Sequence, residues 1–375
     1  MFKKRSVSVL IAIIMAFTLS TGMAFATEPE QEKATLPTSD AADLADKIAP
    51  VKDGSSWADV QAANAKRLFG DTDFMRICGP NRYDTAIASA NALKKSLGVD
   101  KFDTIIVASG ETYPDALTGS YLAFIADAPI LLVNGGDTTQ DKVLDYIKNN
   151  LNQDGDVYLL GGEGAVSKTF ERNVKKIAYA ERLGGKTRYE TNLAILDKIE
   201  GDETAVLVCS GNGFADSLSV SAIGLPILLV GDQLTAEQKQ YLNDKNIKYS
   251  FIIGGTGAVN TAVERQCKVY TEASARIAGA TRYETSANVA DIFFVDEDNP
   301  ESNADYAVLA YAQNFPDGLS AGPLAAEIGA PLLLVDNNSY QAAASVSASA
   351  GIKKVAVLGG TTLISDYVAK TMINK

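Results

Sequence analysis

Arg76-Ile77-Cys78-Gly79-Pro80-Asn81-Arg82-Tyr83-Asp84-Thr85 occurs once and then returns twice. It comes back as Arg182-Leu183-Gly184-Gly185-Lys186-Thr187-Arg188-Tyr189-Glu190-Thr191, and again as Arg276-Ile277-Ala278-Gly279-Ala280-Thr281-Arg282-Tyr283-Glu284-Thr285. Downstream of each copy a second block follows: Tyr113-Pro114-Asp115-Ala116-Leu117, Phe214-Ala215-Asp216-Ser217-Leu218 and Phe315-Pro316-Asp317-Gly318-Leu319, with the aspartates spaced 101 residues apart. A third block reads Pro129-Ile130-Leu131-Leu132-Val133, Pro226-Ile227-Leu228-Leu229-Val230 and Pro331-Leu332-Leu333-Leu334-Val335. A fourth reads Leu160-Gly161-Gly162, Ile253-Gly254-Gly255 and Leu358-Gly359-Gly360. Four blocks in one order, three times, define an internal repeat. The repeats are set at residues 76–178, 179–272 and 273–375.

Within a repeat, helical and extended patterns alternate. Tyr83 to Leu97 carries Ile87, Ala90 and Leu97 near helical spacing, and Lys94 and Lys95 fall in its last turn, where cations suit the helix dipole. Thr104 to Ala108, Ile130 to Val133 and Val157 to Leu160 are short apolar runs that read as strands. Leu117 to Ala126 is small and apolar, as a buried helix should be. Thr235 with Gln238 three residues on is a capping-box pattern. Ser167, Asn260 and Ser365 are placed to cap a final helix. Continuous apolar strands separated by helices imply a parallel sheet covered on both faces. The fold class expected is therefore α/β: three tandem Rossmann-like units with parallel sheets.

In a parallel sheet the loops after the strands gather at one edge, where open α/β sheets bind ligands. Asp115 lies in the first such loop, and the helix opened by Arg82 starts at the same edge. Arg82 and Asp115 are thus expected as neighbours, with Arg188/Asp216 and Arg282/Asp317 as equivalents. Two roles are open for these arginines. Guanidinium groups match phosphate and carboxylate geometry, but ion pairs at repeat interfaces produce the same pattern. Gly161-Gly162-Glu163-Gly164 resembles a phosphate-cradling turn, yet fits neither standard phosphate-loop spacing. Tight-turn geometry accounts for it more simply.

Composition removes several activities. The 375 residues contain no histidine, so no Ser-His-Asp triad, Cys-His pair or His-ligated catalytic zinc is possible. Cys78, Cys209 and Cys267 are too few and scattered for a cysteine-only zinc site. Cys78 and Cys209 fall where other repeats carry small residues and are expected to act as packing residues. The net charge is -12, which disfavours non-specific nucleic-acid binding.

Residues 1–26 carry Lys3, Lys4 and Arg5, an apolar run from Val7 to Leu19, and Ala24-Phe25-Ala26, the order of a secretory signal peptide. No other run approaches the ~20 apolar residues of a membrane span. Residues 27–75 begin linker-like, with Glu28, Pro29, Glu30 and Glu32. Asp43 to Ile48 and Trp57 to Leu68 read as short helices that pack on the repeats.

The four blocks resemble the cell wall binding repeat 2 family, which occurs as three tandem copies in clostridial cell-surface proteins and some bacterial autolysins. The resemblance covers Arg76 to Lys375. It implies three Rossmann-like units with pseudo-threefold packing, a secreted surface-layer-associated chain, and non-covalent retention on an anionic secondary cell-wall polysaccharide. Surface-layer proteins are further partners it implies; cofactors are not. The Ile-Leu-Leu motif of the family carries over onto Ile130-Leu131-Leu132 and Ile227-Leu228-Leu229, with Leu332-Leu333-Leu334 a conservative departure. The second copy departs further: Ala215 replaces the proline, and Asp216 to Pro226 is four residues shorter than Asp115 to Pro129. The ligand-facing set expected is Arg82, Arg188, Arg282, Asp115, Asp216 and Asp317 with the three Ile/Leu-Leu-Leu runs. An acidic chain binding an anionic polymer needs a local basic groove; Arg76, Arg182 and Arg276 are further recurring cations. The zinc amidase that accompanies some relatives would need histidine ligands. Two alternatives stand beside the anchor: a glycan hydrolase using the recurring carboxylates, and a lattice protein without polymer affinity.

Overall fold

The computed structural model describes residues 57–199, 203–296 and 298–374. The expected leader and the Asp43–Ile48 helix lie outside these residues. Helix α1 (Trp57–Phe69) and strand β1 (Phe74–Ile77) come first. The first unit then runs α2 (Arg82–Leu97), β2 (Phe102–Ser109), α3 (Pro114–Ile125), β3 (Ile130–Val133), α4 (Asp137–Asn150), β4 (Leu151–Leu160), α5 (Lys168–Val174) and β5 (Tyr179–Leu183). The second continues with α6 (Arg188–Asp197), β6 (Ala205–Ser210), α7 (Ala215–Val220), β7 (Ile227–Val230), α8 (Ala236–Asp244), β8 (Tyr249–Ile253), α9 (Thr261–Tyr270) and β9 (Ala273–Ile277). The third has α10 (Arg282–Phe294), β10 (Tyr306–Tyr311), a 3-10 turn at Gly318–Ser320, α11 (Ala321–Glu327), β11 (Leu332–Val335), α12 (Gln341–Ala350), β12 (Lys354–Leu358) and α13 (Asp366–Lys370).

The strands form three parallel four-stranded sheets, ordered β3-β2-β4-β5, β7-β6-β8-β9 and β11-β10-β12-β1. The Arg-bearing strand that opens each sequence repeat is thus the last strand of the preceding sheet: Arg182 pairs opposite Leu159 and Arg276 opposite Ile252. For the third sheet that partner comes from the far end of the chain, with Phe74 to Ile77 pairing Val355 to Leu358. The sheet order therefore closes three units into a ring.

Helix packing repeats the cycle. Helix α3 packs on α6, α7 on α10, and α11 on α2, so each unit's axial helix meets the opening helix of the next. α3 also meets α7 and α11. Ten of the twelve residues of α3 are buried, because this helix is enclosed on every side. The shortened second copy answers with a six-residue α7. α1 docks where the ring closes: Gln61 Nε2 donates to Ala326 O at 2.8 Å, and Asn64 Nδ2 to Glu327 O at 3.0 Å.

The capping reading holds in detail. The Thr235 hydroxyl accepts from Gln238 N while the Gln238 side chain accepts from Thr235 N, and Ser167, Asn260 and Ser365 cap α5, α9 and α13. Cys209 and Cys267 are buried; Cys78 is exposed, contrary to the expected packing role, because it lies just past the edge strand β1. Among the described residues no helix is long and apolar enough to cross a membrane.

Candidate functional site

Each Arg-Tyr-x-Thr motif opens a helix. Asn81, Thr187 and Thr281 cap α2, α6 and α10 with their side-chain oxygens, satisfying amides the first turn leaves free. The threonine four residues on folds back: Thr85, Thr191 and Thr285 hydroxyls accept from Gly79, Gly185 and Gly279 N at 3.1, 3.0 and 3.0 Å. This geometry carries the arginine to the loop after the first strand of its own unit. Arg82 donates to Gly110 O at 2.6 Å, Arg188 to Gly211 O, and Arg282 to Ala312 O at 2.8 Å.

The expected pairing of arginine and aspartate within one repeat is corrected by one step around the ring. Arg188 faces Asp115, Arg282 faces Asp216, and Arg82 faces Asp317. The reason is the offset of the sheets. A repeat's opening strand finishes the preceding sheet, so the helix after it begins beside the preceding unit's aspartate loop. The recurring polar groups therefore line clefts between units.

Burial dominates the aspartates. It raises the carboxyl of Asp115 while Arg188 opposes the shift, and it raises Asp216 to about 6 against the pull of Arg282. Asp317 is raised by burial too, opposed by a hydrogen bond from Thr85 and by Arg82. Each carboxyl is pressed under the glycine turn. A Cβ on Gly161 would collide with Asp115 Oδ2, one on Gly254 with Asp216 Oδ2, and one on Gly359 would stand 2.9 Å from Asp317 Oδ2. These glycines have φ of +99°, +96° and +107°, where a side chain is strained.

The other recurring arginines are committed to structure. Arg182 donates to Gly161 O and Val166 O, both at 2.8 Å, and pairs with Glu171 at 2.7 Å. Arg276 donates to Gly254 O at 2.6 Å and pairs with Glu264 at 2.8 Å. Arg76 donates to Gly359 O and Ile364 O at 2.7 and 2.8 Å and pairs with Asp366 at 2.7 Å. All three pin an edge strand to the glycine turn, so they supply little free charge to a ligand.

At the centre, Tyr113, Phe214 and Phe315 meet with ring centroids 5.5–6.1 Å apart. The Arg188 guanidinium lies 5.9 Å from the Tyr113 centroid and that of Arg282 lies 5.3 Å from Phe214, so the arginines also stack on the preceding unit's aromatic. Between the first and second units a cleft of about 430 Å³ is lined by Tyr113, Asp115, Gly162, Lys186, Arg188 and Phe315, among others. Between the third and first units a cleft of about 400 Å³ is lined by Arg82, Tyr311, Asn314, Asp317 and Thr362, among others. A cationic head beside a carboxyl can take an anionic or hydroxyl-rich ligand.

The Ile/Leu-Leu-Leu runs lie elsewhere. Ile130, Leu131 and Leu132, Ile227, Leu228 and Leu229, and Leu332, Leu333 and Leu334 are at most 1% exposed, inside β3, β7 and β11. They carry the sheet interior and do not reach the cleft surface. The axial aromatic trio had a signal in the repeats, since an aromatic residue stands two before every Asp, but its convergence depends on ring closure that periodicity does not show. Tyr311, Tyr340 and Tyr367 left a different trace: each breaks the repeat pattern.

The cell wall binding domain 2 family model matches residues 76–171, 182–264 and 276–369. N-acetylmuramoyl-L-alanine amidase LytC of Bacillus subtilis (strain 168) is 26% identical over 313 residues, 81% of this chain and 59% of that protein. The Amidase enhancer of the same organism is 28% identical over 306 residues, 80% of this chain and 40% of that protein. The chain thus spans less than two thirds of either curated relative. Among solved structures, Cwp8 from Clostridium difficile matches with a TM-score of 0.72 at 25% identity, covering 80% of this chain and 51% of that one. Cwp6 from the same organism matches with a TM-score of 0.69 at 24% identity, covering 80% and 48%.

Proposed function

The chain belongs to the cell wall binding domain 2 family, and from that membership we propose that it is a non-covalent cell-wall anchor whose ligand is an anionic secondary wall polysaccharide. The observation that carries the reading is the thrice-repeated placement of an arginine from one unit beside the half-buried aspartate of the unit before it. Arg82, Arg188 and Arg282 then meet the polymer's anionic groups. Asp115, Asp216 and Asp317 hold those arginines and accept from sugar hydroxyls. The Ile/Leu-Leu-Leu runs act from beneath, as the sheet on which each cleft is built. In this reading the chain is exported by residues 1–26 and works at the cell surface, in company with surface-layer proteins, without catalysis. The identical threefold use of each acid, paired to a cation, favours architecture over a hydrolytic pair, whose two carboxyls act on one bond.

The test is retention of the purified chain on Clostridium difficile cell walls, before and after their non-peptidoglycan polysaccharide is stripped. Retention on intact walls that is lost on stripped ones is the expected result. Equal retention on both overturns the polysaccharide assignment. Absence of binding to either, with self-assembly visible by light scattering, selects the lattice alternative.

A further inference from the structure

The ring is not chemically symmetric, and the departures gather at one cleft. Tyr311 ends β10 where the other units carry Ser109 and Ser210. Those serines serve their own loops, accepting from Glu111 N and Asn212 N at 3.2 Å. Tyr311 instead lines the cleft that holds Arg82 and Asp317. Tyr340 stands immediately before α12, where the equivalent helices are preceded by Gly136 and Thr235. Tyr367 is the second residue of α13, where the other units have Thr169 and Ala262. Tyr340 and Tyr367 meet edge to face, 6.5 Å between centroids and 90° between planes.

Folding explains only one half of this pair: Tyr340 packs against the third unit's core. Tyr367 is 70% exposed, and its counterparts are small. Its position is nonetheless well held. Arg76 fixes the start of α13 through Ile364 O and Asp366. Asn337 joins the two loops, donating to Thr362 O at 3.3 Å and accepting from Ser365 N at 2.8 Å. Thr362 lines the same cleft. The third unit thus carries aromatic surface at the ligand edge, linked through Asn337 and Thr362 to a cleft bearing one Arg and one Asp.

We infer that Tyr311, Tyr340 and Tyr367 form a sugar-stacking subsite, so that the cleft between the third and first units takes a pyranose ring of the wall polymer. A pyranose has a face of C–H groups and a rim of hydroxyls. Aromatic rings cover the first at low entropic cost, and Asn314 and Asn338, both exposed, offer amides to the second. The cleft between the first and second units carries Glu111, Asp115, Lys186 and Arg188 instead, two acids beside two bases, and no tyrosine pair. The subsite rests on the anchoring reading above and adds to it a direction: the polymer lies on the ring in a fixed register.

The experiment uses the full chain and the polysaccharide released from purified Clostridium difficile walls. Affinity is measured by calorimetry. Saturation-transfer NMR with irradiation of the aromatic protons reports which sugar protons lie against tyrosine. Tyr340→Ala/Tyr367→Ala is expected to weaken binding about tenfold and to reduce transfer to carbon-bound sugar protons to what Tyr311 supplies. Tyr367→Phe should keep both, and thermal unfolding should show each variant folded. Unchanged affinity in the double variant, with the wild type binding, overturns the subsite and leaves the anchor standing. Loss of self-association with affinity kept also overturns it, making the pair a protein contact. A wild-type chain that fails to bind brings down the anchoring reading and the subsite together.

Discussion

Asp216 is the residue whose chemistry the fold bends most visibly. Burial holds its carboxyl at about 6, above the ordinary value of 3.8. A raised carboxyl pKa favours the folded state fully below the unfolded value, and that contribution is lost as pH rises through 6. Asp216→Asn mimics the protonated form. Relative to wild type it should therefore be matched near pH 4 and more stable by about 2–3 kcal/mol near pH 8; urea melts at the two pH values check this. Arg182 makes the opposite case. It is bound to two carbonyls and to Glu171, and Arg182→Ala should cost about 2–4 kcal/mol, seen as a lowered Tm. Residue types and spacing made both positions legible, because recurrence marks positions the fold or the ligand needs. Recurrence did not separate the two sets of arginines. Arg76 and Arg82 recur equally, and only coordinates show Arg76 held by two carbonyls and Asp366, and Arg82 held by one carbonyl at the wall of a cleft.

At the scale of elements, the strands were legible in position but not in every bound: β2 and β4 begin at Phe102 and Leu151, ahead of the expected Thr104 and Val157. Ile130–Val133 is bounded as its apolar run is, since a run buried on both faces admits no polar residue inside it. The order of strands was not legible. Sequence proximity places the Arg76 strand in the first unit, but hydrogen bonding puts it against Lys354–Leu358. Removing residues 57–77 should leave the third sheet with three strands. Hydrogen exchange would then show β12 losing protection well before β4 or β8, whose edge partners β5 and β9 remain in place. Uniform loss across all three sheets would mean that the ring unfolds as one body.

For the whole molecule, the anchoring reading has three equivalent arginines on one body sharing the polymer, so that weak contacts add. Replacing Arg82, Arg188 and Arg282 by alanine one at a time should weaken wall retention modestly, and all three together by about 10²–10⁴-fold, measured as the dissociation rate from immobilised walls. Each of these arginines also bonds a backbone carbonyl, so Tm is followed in parallel to separate lost retention from lost stability. The pseudo-threefold arrangement was expected from resemblance and is realised through the cyclic packing of α3 on α6, α7 on α10 and α11 on α2. The strand that closes the ring has a mechanical meaning as well. Chain arriving from residue 73 enters β1 at its N-terminal end, whereas Arg82, Arg188 and Arg282 sit at the C-terminal edge of the sheets, where the proposed polymer would be held. Tension between a tethered cargo on that side and the polymer would run lengthwise along β1 and β12. It would load the backbone pairings from Phe74 to Ile77 in shear, all at once, instead of peeling them apart singly.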